Sequence, residues 1–564
     1  MGIKYVFITG GVLSGIGKGV TTASIAKLFQ FRGFDVSIMK IDPYLNIDPG
    51  TLNPLEHGEC FVTEEVWEFN PLNKKNNGFG KVKIAELDQD FGTYERFTGK
   101  NISPSHNITS GQIYYSTILK ERAGEYLGKT VQLIPHCTNE VIQRLKNTAE
   151  EEKIDVLLVE CGGTVGDFES VLFLESFRIM RLELPKEDTL LIHVTLVPYL
   201  SAVGQQKSKP TQHSVRSLQS VGLQPDVIIC RSEKWLSDDV KRKIALFSNV
   251  EPTAVISAPD VESIYSVPII FEKQKLGDYI CKKLELTSRL VEYNKINNYS
   301  EWQKMVKLYE EKDPNKQLII AMPGKYVDIV DSYVSINEAL KHACAYFGYN
   351  LKLKWINTEK EVENDLKEVD GILLTPGFGS RGVEGMIKCA EYALEHKIPY
   401  LGICFGAQLM YIAYCRKCLN LKDANSREVC EDTPYPVVDF LEGQEELLGT
   451  GGTMRLGAME VYLEPNTKLY EAYKQKVIKE RFRHRFHIIE KYIKDYKNTD
   501  LIISARDKTG KIVNAIEIKG DHFMVGTQFH AEFKSRPFEP SPLYVAFIKA
   551  IIKNKYNKIP NPLF

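Results

Sequence analysis

Tyr5-Val6-Phe7-Ile8-Thr9-Gly10-Gly11-Val12-Leu13-Ser14-Gly15-Ile16-Gly17-Lys18-Gly19 decides the fold of the amino-terminal half. The apolar run Tyr5 to Ile8 reads as a buried strand, the glycines after it as a turn, and Val20 to Arg32 as a helix. In that order, backbone N–H groups and a helix N-terminus surround one point in space and favour an anion there. Lys18 brings a positive charge to the same turn, so the stretch reads as a phosphate cradle. Its spacing is not the standard one. Gly11 precedes Gly17 by six residues rather than five, and Gly19 stands where Ser or Thr is usual, with Thr21 and Thr22 following. The plainer reading is a glycine turn that only closes a strand–helix corner.

Outward from this stretch the same pattern repeats. Val36 to Met39, Asp155 to Val159, Leu190 to Val194 and Asp226 to Cys230 are short apolar runs ending in glycine or polar turns, with helical stretches between them. Such runs are strands of a parallel sheet buried on both faces, and the alternation predicts a doubly wound α/β domain. Composition turns charged and polar over Lys282 to Pro314, and a fresh strand at Gln317 to Ala321 opens a second α/β region. The boundary falls near residue 300, and Trp67 to Lys83, rich in turn residues, reads as an inserted surface loop.

The chain has 564 residues, 43% apolar and 26% charged, the composition of a folded multidomain protein. Its 72 Lys and Arg against 73 Asp and Glu give a net charge of −1, which excludes a whole-chain basic footprint for duplex nucleic acid. The 11 cysteines are scattered and odd in number, which points to a reducing compartment. Cys415 and Cys418 read as two residues one helical turn apart rather than half of a zinc site. Val6 breaks a myristoylation signal, no secretory leader is legible, and Leu190 to Val203 is too short and polar to span a bilayer, so a cytoplasmic location is expected.

A metal-bound nucleotide needs carboxylates near the cradle, and Glu160, Asp88 and Asp90 are the candidates. Lys207-Ser208-Lys209-Pro210-Thr211-Gln212-His213 is either a second polyphosphate site or a solvated basic loop. In the second half, Ile398 to Leu401 leads into Gly402-Ile403-Cys404-Phe405-Gly406-Ala407-Gln408. This is a nucleophile elbow with cysteine at its tip, where close glycines permit the sharp turn and the following helix favours thiolate. His530 and Glu532 supply a base and the acid that orients it. Leu373-Leu374-Thr375-Pro376-Gly377-Phe378-Gly379 is a strand and turn in which Gly377 offers a backbone donor for an oxyanion.

Taken together these residues resemble the cytidine triphosphate synthase family. The resemblance is carried by Phe7 to Val12, Gly17-Lys18-Gly19, Met39 to Tyr44, Ile47 to Thr51, His57-Gly58-Glu59, Gly92 to Phe97, Gly162 to Asp167 and Lys209 to Val215. It continues in Gly382 to Met386 and Gly452 to Gly457, so it runs over nearly the whole chain. It implies an amino-terminal P-loop-like (dethiobiotin-synthetase-like) amidoligase domain over 1–285, a linker over 286–316 and a class I glutamine amidotransferase domain over 317–564. The implied reaction phosphorylates UTP at O4 with ATP, then displaces that phosphate with ammonia freed from glutamine and carried through an internal passage.

The resemblance also implies roles. Gly15, Ile16, Gly17, Lys18, Gly19, Val20 and Lys40 would contact ATP, with Pro259, Asp260 and Val261 near adenine, and Asp90 and Glu160 holding Mg2+. Asp90 would also touch ATP, leaving Asp88 a neighbour. Ser14, Asp167, Phe168, Glu169, Lys207, Ser208, Lys209, Pro210, Thr211, Gln212 and Lys243 would contact UTP or CTP. Gly377, Phe405, Gly406, Ala407, Gln408, Glu428 and Arg485 would bind glutamine, Cys404, His530 and Glu532 would form the triad, and Arg381 and Glu384 would serve activation by GTP. Feedback inhibition by CTP, a homotetramer and filaments are implied as well. Thr375-Pro376-Gly377 departs from the family's usual Pro-Gly-Gly, and Pro376 has no N–H. Ala531 replaces a usual Pro, Gln112 stands where Arg is common, and the loop from about Glu65 to Lys83 is long and close before Asp90. The second half alone also fits another glutamine amidotransferase, and a P-loop ATPase with a vestigial cysteine domain is the non-catalytic alternative.

Overall fold

The computed structural model describes residues 2–72, 80–287, 295–324, 330–444, 454–494 and 499–563. Residues 73–79 of the predicted insertion, 288–294 of the predicted linker, and 452 and 453 of the glycine motif lie outside the described residues. Contacts divide the chain into two compact units. The first is Met1–Pro49, Trp67–Ile84 and Asp90–Glu310; the second is Gly50–Val66, Ala85–Gln89 and Glu311–Phe564. A single cut near residue 300 therefore does not reproduce the grouping, because 50–66 and 85–89 belong by contact with the carboxyl-terminal half.

In the first unit seven strands form one sheet in the order Val255–Pro259, Val227–Ser232, Thr189–Leu196, Lys4–Gly10, Val156–Cys161, Val36–Asp42 and Asn107–Thr109. Every neighbouring pair is parallel. All seven residues of Lys4–Gly10 are buried, as a central strand covered on both faces must be. Helix Lys18–Gln30 begins two residues earlier than the apolar pattern suggests, because Gly17, at φ 91°, makes the turn that starts it. The carboxyl ends of these strands meet along one edge of the sheet, the edge at which open α/β sheets bind ligands.

In the second unit five parallel strands run in the order Asn350–Asn357, Gln317–Gly324, Gly371–Leu374, Tyr400–Ile403 and Met524–Thr527. Four antiparallel strands continue the sheet: Val513–Ile518, Leu501–Arg506, Arg455–Leu463 and Val477–His484. The antiparallel half is absent from the sequence expectation. Its strands meet by direct pairing and carry no βαβ rhythm to announce them. The register Gly402↔Gly526 and Ile403↔Thr527 lays the cysteine elbow beside the chain that leads to His530.

The predicted surface loop is shorter than Trp67 to Lys83. Strand Cys60–Phe69 runs through Trp67, and strand Val82–Asp88 includes Lys83; the two form a two-stranded ribbon. The Trp67 and Phe69 rings pack with centroids 5.1 Å apart, tilted at 47°, and Arg144 lies over both, so aromatic packing extends the strand into the polar stretch. Cys415 and Cys418 share helix Phe405–Cys418, the first buried and the second exposed. Among the described residues no helix is long and apolar enough to cross a membrane.

Candidate functional site

The cradle of the first unit is built on positive φ. Val12, Gly15 and Gly17 have φ of 81°, 69° and 91°, and Val12 pays a steric cost that a glycine would not. Gly11 has no room for a Cβ, which would run into Ser214 Oγ. Ser214 is fixed by His193 Nε2 at 2.7 Å, while His193 Nδ1 meets Thr9 Oγ1 at 2.9 Å. Burial and the charge of Lys18 push His193 down to about 3, so this chain of bonds is neutral. Lys18 Nζ donates to Gly163 O at 2.9 Å, and Val165 N donates to Gly10 O at 2.8 Å. The cradle is thus tied to the loop that carries Asp167 and Phe168.

Lys40 reaches the same edge from Val36–Asp42, bonding Asp90 Oδ2 at 2.7 Å and lying 3.2 Å from Asp42 Oδ1. Asp90 opens helix Asp90–Thr98, and its carboxylate occupies the space a Cβ on Gly19 would need. This explains the glycine where Ser or Thr is usual. Glu160, 1% exposed near the end of Val156–Cys161, is pushed up to about 7 by burial and by Asp90, against the pull of Lys40 and Lys18. Asp90 and Glu160 are therefore brought together with both lysines. No cluster of three or more His, Cys, Asp or Glu suited to a metal occurs among the described residues. A cation held here would need phosphate oxygens and water to complete its shell.

The remaining nucleotide candidates divide. Lys209 and Pro210 start helix Lys209–Ser220, with Thr211 bonded to Leu196 O at 3.0 Å and Gln212 to Ser208 Oγ at 3.0 Å. Asp167 caps its own turn through Thr164 N, and Phe168 is 92% exposed. Ser14 and Glu169 are exposed, and Lys207 donates to Gln205 Oε1 at 2.8 Å. Asp260 pairs with Arg231 at 2.9 Å, and Arg231 Nη1 lies 3.6 Å from the Cβ position of Gly17, which brings Pro259 to Val261 to the cradle. Lys243 stands exposed on helix Asp238–Ser248 with no bond to that group. Arg231, His193 and Tyr94 escaped the sequence reading. Tyr94 lies inside the Gly92 to Phe97 motif but has no role assigned there, Arg231 and His193 lie in strand runs, and only the folded sheet shows what each of them meets.

In the second unit Cys404 takes φ 52° and ψ −102° at the N-cap of helix Phe405–Cys418. That turn depends on its glycines: a Cβ on Gly402 would lie 2.7 Å from Gly406 C, and one on Gly406 would meet Leu374 O. Cys404 N donates to Thr527 O at 2.7 Å, and its Sγ lies 3.5 Å from Arg483 O and 3.4 Å from Gln528 Nε2. His530 Nδ1 bonds Glu532 Oε1 at 2.7 Å, and both side chains are buried. Burial opposes charge on His530, but Glu532 and then Cys404 outweigh it and raise the imidazole to about 10. With Nδ1–H committed to Glu532, Nε2 is buried and makes no hydrogen bond of good geometry among the described residues, while Cys404 is near enough to act on the ring.

Cys404, Gln408, Glu428, Arg485, His530 and Gly377 all line one cavity of about 400 Å³. Phe405 lines it too, while Gly406 and Ala407 are buried in the helix behind. Glu428 Oε1 accepts from Gly379 N at 2.7 Å, so that donor is already engaged. Arg381 and Glu384 do not line the cavity; they pair with Glu359 at 3.4 Å and Arg416 at 2.7 Å. Arg483 forms a cavity wall that the sequence did not single out. Its Nε bonds Glu86 at 2.7 Å, its Nη2 bonds Gly50 O at 3.1 Å, and it lies over Phe378.

The family model for the CTP synthase N-terminus matches residues 4–286, and that for glutamine amidotransferase class-I matches residues 328–550. The CTP synthase of Caldanaerobacter subterraneus subsp. tengcongensis is 46% identical over 558 residues, covering 98% of this chain and 99% of the relative. That of Methanopyrus kandleri is 46% identical, covering 97% and 99%. The solved glutaminase domain of Trypanosoma brucei CTPS, with bound acivicin, is 32% identical and covers 43% of this chain and 96% of its own, with a TM-score of 0.40. Matched along nearly its full length by such relatives, the chain belongs to the CTP synthase family.

Proposed function

We infer that the chain aminates UTP to CTP in an ATP-dependent reaction, using ammonia from glutamine. The observation that carries this is full-length similarity to CTP synthases combined with a buried Cys, His and Glu in one cavity. In this reading Cys404 attacks the glutamine amide, His530 Nε2 takes the thiol proton and returns it to the departing ammonia, and Glu532 holds the imidazolium. The raised His530 suits it to keeping that proton beside a thiolate. Gly377 N donates to the oxyanion, and Gln408, Glu428 and Arg485 hold the amino acid end of the substrate.

At the other site Gly15 to Val20 wrap the ATP phosphates, and Lys18 leaves Gly163 O to neutralise them. Pro259 to Val261 take the adenine side. Ser14, Asp167 to Glu169, Lys207 to Gln212 and Lys243 take UTP, or CTP as a feedback inhibitor. Asp90 and Glu160 suit Mg2+: burial and then the charge of Asp90 push Glu160 up to about 7, and a cation held by the two carboxylates would relieve both. Bound Mg2+ would offset charge on the transferring phosphate. Lys40 would then trade Asp90 for phosphate.

The reading extends to activation by GTP through Arg381 and Glu384, for which both of their ion pairs must open, and to a homotetramer, filaments and a cytoplasmic location. It assigns 1–285 to synthesis, 286–316 to a linker and 317–564 to glutamine hydrolysis. The test is direct. Enzyme mixed with ATP, UTP, Mg2+ and glutamine should form CTP, followed by its absorbance; no CTP with either glutamine or ammonia rejects the reading.

A further inference from the structure

Helix Asp90–Thr98 carries two groups toward Glu160, not one. Asp90 stands in its first turn, and Tyr94 follows four residues later on the same face. The Tyr94 hydroxyl donates to Glu160 Oε2 at 2.5 Å. Its ring is wholly buried, with Phe91 edge-on at 5.5 Å, and Thr98 Oγ1 fixes the Tyr94 carbonyl at 2.7 Å. Glu160 is equally enclosed, while Lys40 holds the Asp90 carboxylate from the other side at 2.7 Å. A carboxylate that gives one oxygen to a fixed phenol loses its freedom to rotate, and the other oxygen keeps a set direction.

We propose that Tyr94 is a positioning residue for a divalent cation, orienting the Glu160 carboxylate so that Oε1 faces the metal. The proposal rests on Asp90 and Glu160 being the cation ligands. Mg2+ requires near-ideal octahedral geometry, whereas Ca2+ accepts variable ligand number and angle. A loosened carboxylate therefore harms Mg2+ more than Ca2+. Groups that orient a metal ligand are commonly worth about tenfold or more in metal affinity.

The test uses the full chain with a non-hydrolysable ATP analogue. Mn2+ is titrated and its free concentration read by electron paramagnetic resonance, with Mg2+ and Ca2+ as competitors. Tyr94→Phe should weaken competition by Mg2+ about tenfold, change that by Ca2+ far less, and leave affinity for the analogue without metal unaltered. Mg2+ affinity equal to wild type in folded Tyr94→Phe overturns the proposal. So does an equal loss in Phe91→Leu, which loosens the ring but keeps the hydroxyl. Glu160→Gln separates the two layers. If it retains wild-type Mg2+ affinity, the ligand assignment itself fails; if it loses affinity and Tyr94→Phe does not, only the role of Tyr94 fails.

Discussion

Gly19 and Asp90 compete for one place: the Asp90 carboxylate fills the volume that a Cβ on Gly19 would take. The usual Ser or Thr of a phosphate loop is thereby excluded, and an acid from another helix fills its space. Gly19→Ser should displace Asp90 and lower ammonia-dependent CTP formation by about a hundredfold, the scale of a misplaced catalytic group. Glutamine hydrolysis should survive. Ammonia-dependent rates within twofold of wild type would contradict the arrangement.

Cys404 is the only residue of its cavity with the strained backbone of an elbow tip among the described residues. Cys404→Ala should abolish glutamine-dependent synthesis and leave ammonia-dependent synthesis intact. Lys18→Ala should stop both, because the cradle serves either nitrogen source. Measuring CTP with glutamine and with ammonium salts separates the cases, and loss of both activities in folded Cys404→Ala would break the two-site scheme.

Much of this was legible in sequence, for identifiable reasons. The runs Tyr5 to Ile8 and Val156 to Val159 are apolar without alternation and short, the pattern of strands covered on both faces. The elbow at Cys404 shows because its glycines are local and obligatory. What stayed hidden depends on partners far along the chain. Tyr94 meets Glu160 across 66 residues, and Arg483 meets Glu86 across 397. Nothing local marks residues 50–66 and 85–89 as part of the second unit. Trp67 falls in a predicted loop because the turn residues after it outweigh one aromatic pair in any local pattern.

The His530–Glu532 pair makes stability depend on pH with a definite sign. Unfolded histidine titrates near 6.5, and the folded value is raised to about 10. The stabilisation is therefore full below about 6.5 and is lost as pH rises through about 10. Glu532→Gln removes the partner. The difference in unfolding free energy between wild type and Glu532→Gln should be largest near pH 6 and shrink steadily toward pH 10. A difference that is flat over this range in denaturant titrations would refute the raised imidazole.

Arg483 and Glu86 form a buried pair at 2.7 Å, with side chains 14% and 3% exposed. Burial opposes charge on Arg483, but Cys60 and Glu86 raise its pKa, so it stays a cation at every working pH. Arg483→Met leaves the buried Glu86 carboxylate without its guanidinium partner. Removing one member of such a pair costs about 3 kcal/mol. Replacing both, as Arg483→Met with Glu86→Gln, should recover much of that stability, because no bare charge is left behind. Glutamine hydrolysis should not return with it, since the guanidinium also holds Gly50 O and covers Phe378 at the cavity edge. Thermal unfolding and glutaminase rates on the two variants would decide the matter: recovery of both together would mean that Arg483 supports the fold alone and does not shape the cavity.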